Sequence, residues 1–235
     1  MYNVADYIAE FLAQVDCTLV HGLMGGGASG LNDGFIRHKE IEYKCYHHEQ
    51  AAGYAAVGEA RYTKKWAVLN PTTGCGGTNC YTPVLSAWQD SIPLIIISGN
   101  VNLSTCTSYF KELYDVDLRS YGVQEHDIVK SVRSITKYAT VVTSGDDIDT
   151  VLFDAFIEAA KGRKGPSWID VPADIQHQSI SEKKILEIKH LISRLYSELD
   201  SFSIEADCSS IKPEVSNLIR QSSRPLILIG GGVSN

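Results

Sequence analysis

Glu49 sits in the run HHEQAAGYAAVGEAR, His47 to Arg61, where a short strand pattern hands over to an alanine-rich helix. A carboxylate at a helix start has two explanations. It can stabilise the helix dipole, an effect of about 0.3–1 kcal/mol. It can also be the acid that a bound ring needs for proton transfer. Ala51, Ala52, Ala55, Ala56 and Ala60 make the helix thin, and Gly53 and Gly58 thin it further, each glycine at a helix-propensity cost of about 1 kcal/mol relative to alanine. A thin helix lets another backbone come close, which presses an acid at its end into an interface. Partial desolvation of that kind moves a carboxyl toward the range useful for proton transfer.

Two glycine turns, GGGASG (25–30) and TTGCGGTN (72–79), each follow a strand pattern and precede a helix. Backbone N–H groups at such a junction can hold an anion. Neither turn fits G-x-G-x-x-G or the Walker lysine pattern, so a nucleotide-binding domain built on them is disfavoured. Two readings stay open: tight packing of helix on strand, or close approach of the backbone to a flat heteroaromatic ligand. Cys75 lies in the second turn with no base beside it, which favours a structural thiol. Gln124 either points a neutral amide into a site or merely starts a helix. His21, His47, His48 and His126 lack metal-ligand spacing and read as hydrogen-bonding or exposed residues.

The elements that must position these residues follow from periodicity. Val4, Ile8, Phe11, Leu12 and Val15 have helical spacing. Strands are expected at 17–22, 41–46, 66–70, 93–98, 135–142 and 165–172. Helices are expected at 31–38, from Glu49 to about Tyr62, at 80–90, at 123–132 and from Ile148 to Gly162. Residues 100–121 read as a long polar loop. Strand and helix alternate to Pro172, which predicts an α/β fold: a doubly wound, mostly parallel sheet with helices on both faces. In such folds ligands lie beyond the strand C-terminal ends, where both glycine turns and Glu49 fall. Residues 1–176 read as one domain, 177–222 as a linker with an amphipathic helix around 185–199, and 223–235 as the strand and glycine turn, in RPLILIGGGVSN, that start a second, truncated domain.

The 235 residues carry a net charge of −7 and no Lys/Arg run, which argues against a nucleic-acid partner. The six cysteines form no C-x-x-C pair, so neither a metal site nor a disulfide framework is indicated. Free thiols point to a reducing, cytoplasmic setting. No apolar run is long enough to span a bilayer.

Five segments, in order, carry a resemblance to a known family: VHGLMGGG, HHEQAAGYAAVGEAR, TTGCGGTNCYTPVLSAWQDSIPLIIISGNV, GVQEHDIVKSVRSITKYA and GPSWIDVPADIQ. The chain resembles the N-terminal, pyrimidine-binding domain of thiamin-diphosphate enzymes of the acetolactate synthase group, and RPLILIGGG resembles the start of that family's central domain. The resemblance implies a role for Glu49. The matching glutamate hydrogen-bonds N1′ of the cofactor's aminopyrimidine and favours the imino tautomer, whose nitrogen removes the thiazolium C2 proton. The carbanion then attacks a 2-oxo acid such as pyruvate, which loses carbon dioxide before carboligation. By the same matching, Met24, Thr72, Thr73, Cys75 and Asn79 line the pyrimidine, and Gln124 faces the reacting carbon. The resemblance also implies Mg2+ and a diphosphate-binding domain outside this chain. It implies a homodimer or larger homo-oligomer, or a separate chain carrying that domain, as in a two-chain decarboxylase. Met24 and Cys75 stand where the family commonly has proline, and residues 100–122 are longer than in typical acetolactate synthases. A catalytically inactive binding or assembly module of the same fold is the alternative.

Overall fold

The computed structural model describes residues 2–202 and 213–228. In chain order the strands are β1 (Tyr2–Asn3), β2 (Leu19–Gly22), β3 (Glu42–Cys45), β4 (Ala67–Asn70), β5 (Leu94–Asn100), β6 (Tyr138–Val141), β7 (Ser167–Pro172) and β8 (Ser179–Ile180). The principal helices are α1 (Val4–Gln14), α2 (Ser29–Arg37), α3 (Glu49–Thr63), α4 (Cys75–Asn79), α5 (Tyr81–Gln89), α6 (Thr107–Tyr114), α7 (Ile128–Val132), α8 (Ile148–Ala160), α9 (Ala173–Gln176), α10 (Glu182–Leu186), α11 (Ile188–Ser201) and α12 (Pro213–Gln221).

Six strands pair in the order β3-β2-β4-β5-β7-β6, every pair parallel. Along β5 the side chains alternate between the two faces, as a strand's two-residue period requires. Ile95 and Ile97 join one core with α1, α2, α8 and α11, while Leu94 and Ile96 join the other with α3, α5 and α7. A parallel strand buried on both faces has no polar side, which is why PLIIIS contains no charge. The doubly wound sheet is therefore present as the alternation implied.

Connections run outward in opposite directions from β2 and β4: β3 lies beyond β2, whereas β5 and β7 lie beyond β4. That is a topological switch point, the place where an open α/β sheet leaves a crevice for a ligand. Both glycine turns leave the sheet there.

Local chemistry fixes the element ends. Asn3 and Asp6 form a reciprocal capping box on α1, both hydrogen bonds at 2.9 Å. Trp66 and Phe11 each pack on Phe156 with ring centroids 5.1 Å apart, tying α1 and α8 to the start of β4.

The fold departs from periodicity in four places. Cys75–Asn79, expected as part of a turn, closes into a short helix. Residues 100–121 contain α6, none of whose residues is fully buried, although Tyr109 packs against the core from one side. The helix expected over 123–132 occupies only Ile128–Val132, started by the Asp127 carboxylate accepting from Lys130 N–H at 3.0 Å. Gln124 is not a helix-start residue; it stands outside any helix at φ +61°. The amphipathic helix expected around 185–199 is present as α11, and it packs Ile188, Ile192 and Leu195 into the core of the same sheet. No strand forms over 223–228, where Leu226, Ile227 and Leu228 are exposed, because a lone strand has no neighbour to satisfy its backbone groups. The glycine turn expected at 230–232 and the linker residues 203–212 lie outside the described residues.

Candidate functional site

Glu49 opens α3 at the C-terminal edge of the sheet. His48 caps the helix, its Nδ1 accepting from Gln50 N–H at 3.1 Å. The Glu49 side chain is only 8% exposed. Its Oε2 accepts a hydrogen bond from Asn79 Nδ2 at 2.9 Å, so α4, the helix that the sequence did not predict, holds the carboxylate. Cys80 seals the junction behind it, its thiol directed at the carbonyls of Glu49 and Gly76. Burial, reinforced by Glu49, pushes the Cys80 thiol far above its ordinary value, which leaves it a packing group.

The other carboxylate oxygen, Oε1, has no hydrogen-bond partner among the described residues. A Cβ placed on Gly76 would lie 3.2 Å from that oxygen and 2.7 Å from Thr72 Cγ2. The space beside Oε1 is thus a cradle that any side chain at 76 would fill. Thr72 and Thr73 add two buried hydroxyls without partners, and buried polar groups of that kind are rare unless something else satisfies them. A carboxylate with one oxygen held and one free, next to a slot floored by glycine, suits a flat heteroaromatic ring that offers a proton donor. The residues present fit an aminopyrimidine.

Close approach of backbones assembles the rest. The 25–27 turn lies on the 72–73 turn: a Cβ on Gly25 would sit 2.5 Å from the Thr72 side chain, and one on Gly27 would sit 1.6 Å from Thr73 Oγ1. Met24 precedes this contact and is 51% exposed. Gly74 adopts φ +56°, a left-handed backbone that favours glycine, and a Cβ there would come 1.9 Å from the Gln124 carbonyl oxygen. The Gln124 turn therefore rests directly on the 72–79 loop. Cys75 and Gln124 are exposed at this edge. Met24, Glu49, Thr72, Thr73, Cys75, Asn79 and Gln124, scattered over a hundred positions, are brought to one crevice.

Three supporting networks escaped sequence reasoning. Asn70, at the end of β4, accepts from Asn32 at 2.6 Å and from Tyr43 at 3.0 Å while donating to the Ile97 carbonyl at 2.7 Å. It ties the ends of β3, β4 and β5 to α2 directly beneath the two turns. His21, expected to be hydrogen-bonded or exposed, is buried at 4% exposure between Tyr46 (2.7 Å) and Glu59 (2.6 Å). Asp170 on β7 accepts from Ser98 Oγ at 2.5 Å and Asn100 Nδ2 at 2.6 Å, and Trp168 Nε1 donates to Ser98 at 2.7 Å. The only sequence signal for these was a polar residue inside or at the end of an apolar run, as in WAVLN and WIDVP.

Among the described residues no helix is long and apolar enough to cross a membrane. The family described as "Thiamine pyrophosphate enzyme, N-terminal TPP binding domain" matches residues 2–128. The chain is 34% identical to the acetolactate synthase isozyme 1 large subunit of Escherichia coli over all of its own length and 38% of that protein's. It is 30% identical to the chloroplastic acetolactate synthase 1 of Zea mays over 97% of this chain and 33% of the relative. An acetolactate synthase of Mycobacterium leprae is 35% identical over 73% of the chain and 25% of the relative. The chain thus spans between a quarter and two fifths of the relatives it matches. With the crevice at the switch point and the sequence match in agreement, the chain belongs to the thiamine pyrophosphate enzyme family, as an acetolactate-synthase-like N-terminal domain.

Proposed function

We propose that this chain is the pyrimidine-binding half of a thiamin-diphosphate enzyme that decarboxylates a 2-oxo acid such as pyruvate and joins the product to an acceptor. When bound, thiamin diphosphate supplies the carbon nucleophile and the electron sink for that chemistry. What this chain contributes is position and proton control. Glu49 would hold a protonated pyrimidine ring nitrogen through Oε1, the carboxylate oxygen left free while Asn79 occupies Oε2. Thr72 and Thr73 line the slot, Met24 and Cys75 stand at its rim, and Gln124 stands on the side of the reacting carbon. The burial of Glu49 keeps water from competing for the proton. The single observation that carries the reading is the half-satisfied, nearly buried Glu49 carboxylate facing a slot that a side chain on Gly76 would close.

Diphosphate and Mg2+ are held by a separate domain, in the same polypeptide or in a second chain, and the thin α3 face meets that domain across a homodimer or larger assembly. The test uses the enzyme completed with its diphosphate domain. Glu49→Gln keeps the shape and removes the charge, and pyruvate turnover is expected to fall by about 10²–10⁴-fold. Turnover within a factor of about two of wild type would establish the alternative, an inactive binding or assembly module.

A further inference from the structure

The opposite edge of the sheet carries a second cleft. Lys137 leads into β6, and Lys161, Arg163 and Lys164 lie on the loop from α8 to β7. Trp88, near the end of α5, faces them, and Glu158 on α8 completes the wall. The cleft is open to solvent, with a volume of ≈ 680 Å³. These residues sit beside the N-terminal ends of β5, β6 and β7, away from Glu49 and the two glycine turns at the C-terminal ends.

Charge is the first unusual feature. The chain as a whole carries −7, yet four cations here share one carboxylate. Lys161 makes a long ion pair with that carboxylate, Nζ 3.9 Å from Glu158 Oε1, and its ammonium lies 4.7 Å from the Phe202 ring centroid. Arg163 spends its guanidinium on neutral acceptors, Ser91 Oγ at 2.8 Å and the Gln89 carbonyl at 3.3 Å. Lys137 donates to the Lys161 carbonyl. Lys164 is half-buried and has no partner among the described residues. Burial holds the Lys137 ammonium below the usual lysine range; Glu158 pulls it upward and Lys161 pushes it further down. Like charges gathered without counter-charge destabilise a fold unless an anion offsets them.

Shape is the second. A Cβ on Gly165 would lie 3.1 Å from Lys137 Cγ and Cδ and 3.7 Å from the Trp88 ring. A side chain at 165 would press on the Lys137 stem and touch the Trp88 ring, and both residues line the same cleft. Trp88 remains 39% exposed. Inorganic phosphate would occupy a small part of this cleft, whereas a ligand combining phosphates with a planar ring matches a volume in the range of about 300–1,000 Å³ found for small-molecule sites. Lysine ammonium groups suit phosphate as mobile point charges, and a half-exposed indole suits a planar base.

We propose that this cleft binds a nucleoside diphosphate, with its phosphates on Lys137, Lys161 and Lys164 and its base against Trp88. The site is independent of the pyrimidine crevice, and neither glycine turn takes part in it.

The experiment is titration of the purified chain with ADP, followed by calorimetry and tryptophan fluorescence, alongside adenosine and inorganic pyrophosphate. ADP is expected to bind saturably and to perturb the indole emission. Lys164→Glu is expected to weaken ADP binding at least about tenfold, the loss of one charge-assisted contact. Trp88→Leu should weaken ADP and leave pyrophosphate unchanged. Lys164 is a loop residue without partners among the described residues, so its replacement leaves the fold intact; unaltered circular dichroism checks this. Absence of saturable binding at millimolar ADP overturns the proposal. So does unchanged affinity in Lys164→Glu, or adenosine binding as tightly as ADP. Displacement of ADP by thiamin, which carries the pyrimidine without phosphate, would move the site to the Glu49 crevice and equally overturn it.

Discussion

Replacing Asp170 by asparagine removes a titrating group and keeps its shape, so its effect on stability must change with pH. Asp170 is 1% exposed on β7. Burial raises its carboxyl from the ordinary 3.8 to about 6, the hydrogen bonds from Ser98 and Asn100 pull it back, and Asp127 and Glu125 add to the rise. In that window the folded chain holds a proton that the unfolded chain has released. More protons on the folded side means that stability falls as pH rises. The contribution is favourable below about pH 4, is lost as pH climbs through about 6, and is constant above that. A shift of this size corresponds to about 3 kcal/mol. In the variant, Oδ1 can still accept from Asn100, and the amide can donate to Ser98 Oγ, which already accepts from Trp168. The Ser98 hydroxyl proton then loses its acceptor, a pH-independent cost of about 1–3 kcal/mol. Urea unfolding of wild type and Asp170→Asn from about pH 4 to about pH 7.5 measures the gap between them. The gap should move by about 2.4 kcal/mol in favour of the variant across that range, since part of the roughly 3 kcal/mol is already lost at about pH 4, with most of the change below pH 6. A flat gap, or one that moves toward the wild type as pH rises, refutes the account of Asp170 as a strained, desolvated carboxyl.

Backbone approach and core packing give further tests. Gly74→Ala forces a Cβ to 1.9 Å from the Gln124 carbonyl at φ +56°, so the urea midpoint should fall by the equivalent of more than about 2 kcal/mol. Gly26→Ala, one turn away with nothing within 4 Å of its added Cβ, should stay within about 0.5 kcal/mol of wild type; equal losses at both positions would show that the close contact is not the cause. Phe156→Ala empties the space between Phe11 and Trp66 and should cost about 3–5 kcal/mol in the same assay.

Much of the fold was legible because it rests on short-range periodicity. The strand containing Ile95 and Ile97 alternates between faces within four residues, and α1 and α8 carry apolar stripes at helical spacing. α6 was read as loop because the stretch around it is polar, although Tyr109, Phe110, Leu113 and Tyr114 lie at helical spacing within it. The Gln124 turn was misread because QEHDIV is a plausible helix start until Gly74 is known to press on its backbone. The candidate site residues were singled out by type and by family resemblance, since spacing could not join them: the Glu49–Asn79 hydrogen bond spans thirty positions, and Ser98–Asp170 spans seventy-two.

The cationic cleft was invisible for the same reason. KGRK gathers three of the cations along the chain, but Lys137 stands twenty-four positions from Lys161, and Trp88 is further still, so no window along the chain shows the cleft. What converts such distant residues into neighbours is the parallel sheet. Each strand begins at one edge and ends at the other, so residues just before the strands collect at one rim and residues just after them collect at the other. Lys137 and Lys164 share the first rim because Lys137 directly precedes β6 and only Gly165 and Pro166 separate Lys164 from β7; Met24, Glu49 and Thr72 share the second because each follows a strand within a few residues, and the close contact with Gly74 brings the Gln124 turn to the same rim. The same topology that makes the pyrimidine crevice therefore requires a second, chemically independent rim, and the charges gathered there are a property of strand starts that no motif search of the sequence would assemble.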